Sequence, residues 1–225
     1  MNTSLKGLVL AGGRSLRMGR DKASMVFGPD DTTRVKQASA LLRRYCTQTF
    51  LSLRAGQPLP NGAEGMEVLA DMPGAQGPLC GILAAFHRDC SAAWLVLACD
   101  MPFVTEKVLS HLVDQRQVPG KSPFLAFASG EDGLPEPLCA IYEPAAFPIL
   151  ERHAKRGHFS PRSIMVEEKT LTISLPLELG NALASFNSPT DLAKFAAAWP
   201  RAKKTYSSTR RDETPVSVMV TGSET

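Results

Sequence analysis

The chain breaks into short apolar runs separated by segments with a helical period. Runs at 8–10, 49–53, 67–69, 94–98, 124–128 and 139–142 have the length of strands. The run Trp94-Leu95-Val96-Leu97-Ala98 is apolar without interruption, which predicts a central strand covered on both faces. Between these runs, residues 34–45 place Val35, Ala38, Leu41 and Leu42 on one helical face. Residues 77–87 read as a helix with Pro78 in its first turn. Another helix begins at Thr105, with Glu106 in its first turn and Leu109, Leu112 and Val113 turned inward. A helix over 144–153 ends near Gly157, and a last one, over 190–199, is entered through Pro189. Strands alternating with helices predict an α/β fold: a three-layer α/β/α sandwich on a mostly parallel sheet. Ligands bind beyond the carboxyl ends of such strands. The glycine-rich segment after Leu10, Asp71 and Asp100 each follow a predicted strand, so they are expected to meet on one rim.

Length and charge narrow the picture. The 225 residues suit one α/β domain over 1–200, followed by a flexible tail over 201–225 that is rich in Ser, Thr and charge. A β-prone strip, 216–220, interrupts that tail. The net charge is +3, and five cations against three acids fall after residue 200. The body is therefore nearly balanced, which argues against a nucleic-acid surface. No apolar run has the length of a membrane span, and the first strand begins almost at once, so a cytoplasmic protein is expected. Cysteines at 46, 80, 90, 99 and 139 include no CxxC pair and read as reduced thiols. Cys99 reads as a small core residue, and nothing marks Cys80 as a nucleophile. His153 and His158 read as lone, solvated histidines.

The segment Leu10-Ala11-Gly12-Gly13-Arg14-Ser15-Leu16-Arg17-Met18-Gly19-Arg20-Asp21-Lys22 carries the strongest chemical signal. Two adjacent glycines allow close approach of main-chain N–H groups to an anion, and Arg14, Arg17 and Lys22 add three cations. A strand opening into such a loop suits a phosphate chain. The spacing is neither GxGxxG nor that of a P-loop. Asp100, directly after the buried run and before Met101-Pro102, can hold a hard ion such as Mg²⁺ together with nucleotide phosphates, or can be a plain turn aspartate.

This first block resembles the signature of the MobA-like nucleotidyltransferases, the molybdenum cofactor guanylyltransferases in particular. Four further blocks stand in the same order: Gly77-Pro78-Leu79-Cys80-Gly81, Cys99-Asp100-Met101-Pro102-Phe103, Pro137-Leu138-Cys139-Ala140-Ile141-Tyr142 and Asn187-Ser188-Pro189-Thr190-Asp191-Leu192. The resemblance implies a Rossmann-like fold of the nucleotide-diphospho-sugar transferase type. It implies transfer of GMP from GTP to the terminal phosphate of molybdopterin, with release of pyrophosphate. By that likeness Asp100 holds Mg²⁺ and is catalytic with Lys22 and Arg17. Leu10, Ala11, Gly12, Gly13, Lys22, Asp71, Gly77, Pro78, Leu79 and Asp100 form the nucleotide site, and Arg162 and Asn187 face the pterin. It also implies passing contact with molybdoenzymes or other proteins of cofactor biosynthesis.

Three departures from the family pattern stand out: Ser185 and Ser52 where the family often has Asn, and Gly28-Pro29-Asp30-Asp31-Thr32-Thr33 where it has a Gly-x-Pro-Leu turn. Rival readings are a cytidylyltransferase on the same pterin, another MobA-like nucleotidyltransferase, and a non-catalytic carrier of the cofactor. Asn187 with Ser188-Pro189 is also explained by helix capping.

Overall fold

Seven strands of the computed structural model form one sheet in the order β3-β2-β1-β4-β6-β5-β7. The structure describes residues 3–12, 32–116, 122–130, 132–168 and 170–185. In chain order the elements are β1 (Leu5–Leu10), α1 (Arg34–Leu42), β2 (Thr49–Leu53), β3 (Glu67–Ala70), α2 (Pro78–Arg88), β4 (Ala93–Ala98) and α3 (Glu106–Gln115). They continue with β5 (Phe124–Ala128), β6 (Pro135–Tyr142), α4 (Ala146–Lys155), α5 (Pro161–Glu167) and β7 (Thr170–Ile173). Every predicted strand is present, with β1 and β6 extended toward their N-terminal ends. The helix expected over 190–199 and the tail over 201–225 lie outside the described residues.

The sheet is mostly parallel, as expected; β6 alone runs antiparallel to its neighbours, β4 and β5. Its two faces carry separate cores. One joins Val9, Leu95, Leu97 and Ile141 to Val35, Ala38 and Leu42 of α1 and Val108, Leu109 and Leu112 of α3. The other joins Leu8, Trp94, Val96 and Tyr142 to Ile82 and Phe86 of α2, Leu150 of α4 and Ile164 of α5. Alternate residues of β4 thus enter opposite cores, which is why the run 93–98 is apolar at every position. The polar tips buried with it are paired: Trp94 Nε1 donates to the Asp89 carbonyl (3.1 Å) and Tyr142 Oη to that of Pro137 (2.9 Å).

Several local expectations change. α1 stops at Leu42, and its buried face includes Arg34 and Ser39, whereas Leu41 is only partly buried. α5 and β7 were not anticipated. Each is short: seven residues opened by Ser160, whose Oγ accepts from the Ser163 amide, and four residues paired to β5. His153, expected in solvent, is buried with 4% of its surface exposed, because α4 turns it under α5.

β1 sits between β2 and β4 and is parallel to both. From β1 the chain winds outward to β2 and β3, then returns to place β4 on the other side. That reversal leaves a crevice at the carboxyl ends of β1 and β4.

Candidate active site

The crevice is a cleft of about 700 Å³. Its floor is the carboxyl ends of β1 (Leu10, Ala11, Gly12) and β4 (Ala98, Cys99, Asp100), with Leu138 of β6 beside them. Ser52, Arg54 and Asp71, at the ends of β2 and β3, form one wall, and Gly77 and Pro78 at the start of α2 form the other. Of the residues singled out from sequence, Leu10, Ala11, Gly12, Asp71, Gly77, Pro78 and Asp100 therefore lie together. Leu79 does not: on the inner face of α2 it is fully buried in the core with Leu8, Phe50 and Trp94, and it does not line the cleft. Gly13, Arg14, Arg17, Lys22 and Asn187 lie outside the described residues.

Backbone bonding sets the floor. The Cys99 amide donates to the Leu10 carbonyl and the Ala11 amide to the Ser52 carbonyl, both at 3.1 Å. The Ala11 N–H is therefore committed to the sheet, and Ala11 offers the cleft its wall rather than a donor. Gln57 Nε2 donates to the Ala11 carbonyl at 3.0 Å and fixes the strand exit from outside. Gly12 allows a close approach: a Cβ there would stand 3.1 Å from Asp71 Oδ2 and 3.3 Å from the Arg54 nitrogen.

Asp71 is held by Ser52, whose Oγ donates to Oδ1 at 2.8 Å. Burial pushes the Asp71 carboxyl above its ordinary range, opposed by the Ser52 hydrogen bond and by the positive charge of Arg54. Ser52, noted in the sequence only as a departure, thus acts as the positioner of Asp71. A serine fits because Gly81 of α2 packs onto it, leaving less room than an asparagine would need. Cys80 is buried at the cleft edge. Burial and the Asp71 charge raise its thiol pKa, the opposite of what an attacking thiolate needs.

Asp100 is half-buried at the carboxyl end of β4. Beneath it lies Arg34, 4% exposed, whose Nε donates to the Cys99 carbonyl at 3.3 Å and whose Nη1 bonds Gln37. Burial lowers that guanidinium to about 10, and the Asp100 charge acts the other way, so Arg34 stays charged near neutrality. On the far side is Glu136 of β6, raised by burial and, to a lesser degree, by the Asp100 charge. Arg162 binds Glu136 and Asp132 through separate nitrogens, each at 3.0 Å. Sequence reasoning missed Arg34, Arg54 and Glu136, because a charge inside an amphipathic segment gives no sign of the neighbour it will meet.

The described lining offers carboxylate oxygens of Asp71 and Asp100 and no histidine. Carboxylates on one rim suit a hard divalent cation, which takes one or two carboxylates and completes its shell with phosphate oxygens and water. Asp71 and Asp100 both line this cleft, whose volume is in the range of small-molecule sites.

The profile of the MobA-like NTP transferase domain matches residues 7–171 of the chain. A "Probable molybdenum cofactor guanylyltransferase" of Pelotomaculum thermopropionicum is 30% identical over 202 residues, covering 84% of this chain and 90% of that protein. One of Opitutus terrae is 32% identical over 196 residues, covering 84% and 93%. A "Molybdenum cofactor biosynthesis bifunctional protein" of Synechocystis is 32% identical over 191 residues; the match takes 84% of this chain and about half, 53%, of that longer protein. Among solved structures, molybdopterin-guanine dinucleotide biosynthesis protein A from Archaeoglobus fulgidus superposes with a TM-score of 0.70 at 24% identity, over 86% of this chain and 97% of that one. The 2-C-methyl-D-erythritol 4-phosphate cytidylyltransferase of Thermus thermophilus shares the fold with a TM-score of 0.55 at 14% identity, covering 85% and 96%.

Proposed function

Because the chain belongs to the MobA-like NTP transferase family, and is thereby a nucleotidyltransferase, we propose that it transfers GMP from GTP to the terminal phosphate of molybdopterin. One observation carries the reading: Gly12, Asp71 and Asp100 line a single cleft at the point where strand order reverses. A terminal phosphate oxygen of molybdopterin attacks the α-phosphorus of GTP. The bond from that phosphorus to the bridging oxygen breaks, and pyrophosphate leaves. Such a reaction calls on position and charge rather than a protein nucleophile. The raised thiol of Cys80 agrees with that.

In this reading Asp100 holds Mg²⁺, which when bound neutralises phosphate charge. Arg34 supports the turn that presents Asp100 through the Cys99 carbonyl. Lys22 and Arg17, with the backbone at Gly12 and Gly13, take the triphosphate. Asp71, aimed by Ser52, takes donors of the nucleoside, and Gly77 and Pro78 close the wall beside it. Asn187 belongs to the pterin side. Arg162, read from the resemblance as facing the pterin, has its charge already matched by Glu136 and Asp132, so in this reading it is a fixed brace more than an open phosphate site.

The test is pyrophosphate release by the purified chain with molybdopterin and Mg²⁺, with GTP and CTP compared side by side. GTP turnover well above CTP turnover is the expected result. Equal rates, or CTP preference, overturn the base assignment. Cofactor binding without release of pyrophosphate from either nucleotide overturns the reaction.

A further inference from the structure

Outside the lining of the cleft, α4 and α5 meet at a corner where His153, His158 and Glu167 each bring one ligand atom within 4.8 Å of the others. The spacing is His-x4-His-x8-Glu: the first residue on α4, the second in the connecting loop, the third at the last position of α5. The three differ in kind. His153 is a fixed anchor, 4% exposed, whereas His158 and Glu167 are exposed and free to turn.

The buried imidazole is already half-specified. Its Nε2 stands 2.9 Å from Glu168 Oε1. Glu168 also bonds Arg152. A carboxylate paired with a guanidinium is an acceptor, so Nε2 is the nitrogen that His153 commits to Glu168. Nδ1 is then the nitrogen that faces the corner. Nδ1 is buried without any hydrogen-bond partner, and the group facing it is Glu167 Oε2, at 3.9 Å. A buried ring nitrogen without a hydrogen-bond partner, facing a carboxylate oxygen across that gap, leaves space for a cation held between the two. A carboxylate holding the far nitrogen of a histidine is also how proteins fix the tautomer and orientation of a metal-binding imidazole.

We propose that His153 Nδ1, His158 and Glu167 form a transition-metal site, of which Zn²⁺ is the natural occupant, pinning the C-terminal end of α5 to α4. Two imidazoles and a carboxylate make a three-ligand zinc set with the fourth position left to water. Ligands about 2.0–2.1 Å from a tetrahedral ion stand about 3.4 Å apart, so atoms now within 4.8 Å of one another close by up to about 1.4 Å. Rotation of the two exposed side chains supplies that movement, while the buried one stays in place. This set of nitrogen and oxygen donors is separate from the carboxylates Asp71 and Asp100 of the cleft, which suit Mg²⁺.

Calorimetric titration of the full chain with Zn²⁺ in excess Mg²⁺ tests the site, with visible absorption of added Co²⁺ reporting the geometry. The wild type should bind one Zn²⁺ per chain, and tetrahedral Co²⁺ bands should appear and be displaced by Zn²⁺. His158→Ala and Glu167→Gln alter exposed residues and leave the buried anchor intact. Each should weaken Zn²⁺ binding at least ~10-fold. Asp100→Asn should bind Zn²⁺ as the wild type does. The proposal is overturned if the wild type binds no Zn²⁺, or if both exposed-ligand variants bind as tightly as the wild type. Loss of binding in Asp100→Asn alone would overturn it too, by placing the ion in the cleft.

Discussion

A methyl group on Gly81 is a sharp probe of the wall that positions Asp71. Gly81 lies in the first turns of α2, directly over β2. A Cβ there would stand 2.8 Å from Ser52 Cβ and 2.9 Å from Leu10 Cδ2, and nearer still to Ser52 Oγ. The leucine methyl can rotate away. Ser52 Cβ cannot, because β2 is hydrogen-bonded between β1 and β3, with Ser52 level with Leu10 on one side and Leu69 on the other. In Gly81→Ala, α2 must lift from the sheet. Overpacking of this kind costs about 1–3 kcal/mol. Disturbing the Ser52–Asp71 hydrogen bond adds about 1 kcal/mol. Against this, alanine in place of a helical glycine gains about 1 kcal/mol. The clash wins, leaving the variant less stable by about 1–3 kcal/mol, or roughly 2–12 °C in Tm for a domain of this size.

Ser52→Gly removes both serine atoms that the added methyl would strike. On its own it costs roughly 1.5–2 kcal/mol, from the lost hydrogen bond and the added freedom of a strand glycine. In the double variant the helix-forming gain of the alanine is expressed without the clash. A double-mutant cycle from urea unfolding should therefore give a favourable coupling of at least ~2 kcal/mol. If Gly81→Ala is as stable as the parent, or the two changes add within about 0.5 kcal/mol, the contact between α2 and β2 is not what holds Ser52 against Asp71.

Three further outcomes are expected. Asp100→Asn should lower Mg²⁺-dependent turnover at least ~10-fold at limiting Mg²⁺ while leaving the unfolding midpoint nearly unchanged; near-parental turnover removes Asp100 from the metal. Lys22→Ala should raise the Kd for GTP while leaving Tm within ~2 °C, since a cation that serves only the triphosphate adds little to the core; unchanged GTP affinity removes Lys22 from the site. Asp89→Asn should cost about 1 kcal/mol at neutral pH, because Lys6 Nζ lies 2.7 Å from Asp89 and Ser91 donates to the same carboxylate. Those contacts hold the Asp89 carboxyl below its ordinary range, so the advantage exists above an unfolded pKa of about 3.9 and fades as pH falls through the folded value; a difference between parent and variant that persists undiminished at pH 2 contradicts the assignment.

How far the fold could be read from sequence follows from what each element buries. The run 93–98 is legible because both faces of β4 meet a helix layer, and α2 because Pro78 marks its start and two turns of apolar residues follow. α5 and β7 escape notice because seven and four residues are too short to show a period, and β7 is an edge strand only partly covered. The site divides in the same way. Asp71 and Asp100 were legible because each carboxylate stands where an apolar run stops, a position that sequence order alone reveals. Ser52, Arg34 and Glu136 were not, because each matters through a partner distant in sequence, 19 residues away for Ser52 and 65 for Arg34, and nothing local to them differs from an ordinary polar residue. Ser52 makes the point most clearly. As a change from asparagine it reads as a lost contact, but Gly81 sits so close above it that only a small side chain fits, and that small side chain reaches Asp71. The departure and the glycine form one packing solution. A chain that restored asparagine at 52 without moving α2 would meet the same overlap as Gly81→Ala, approached from the other side.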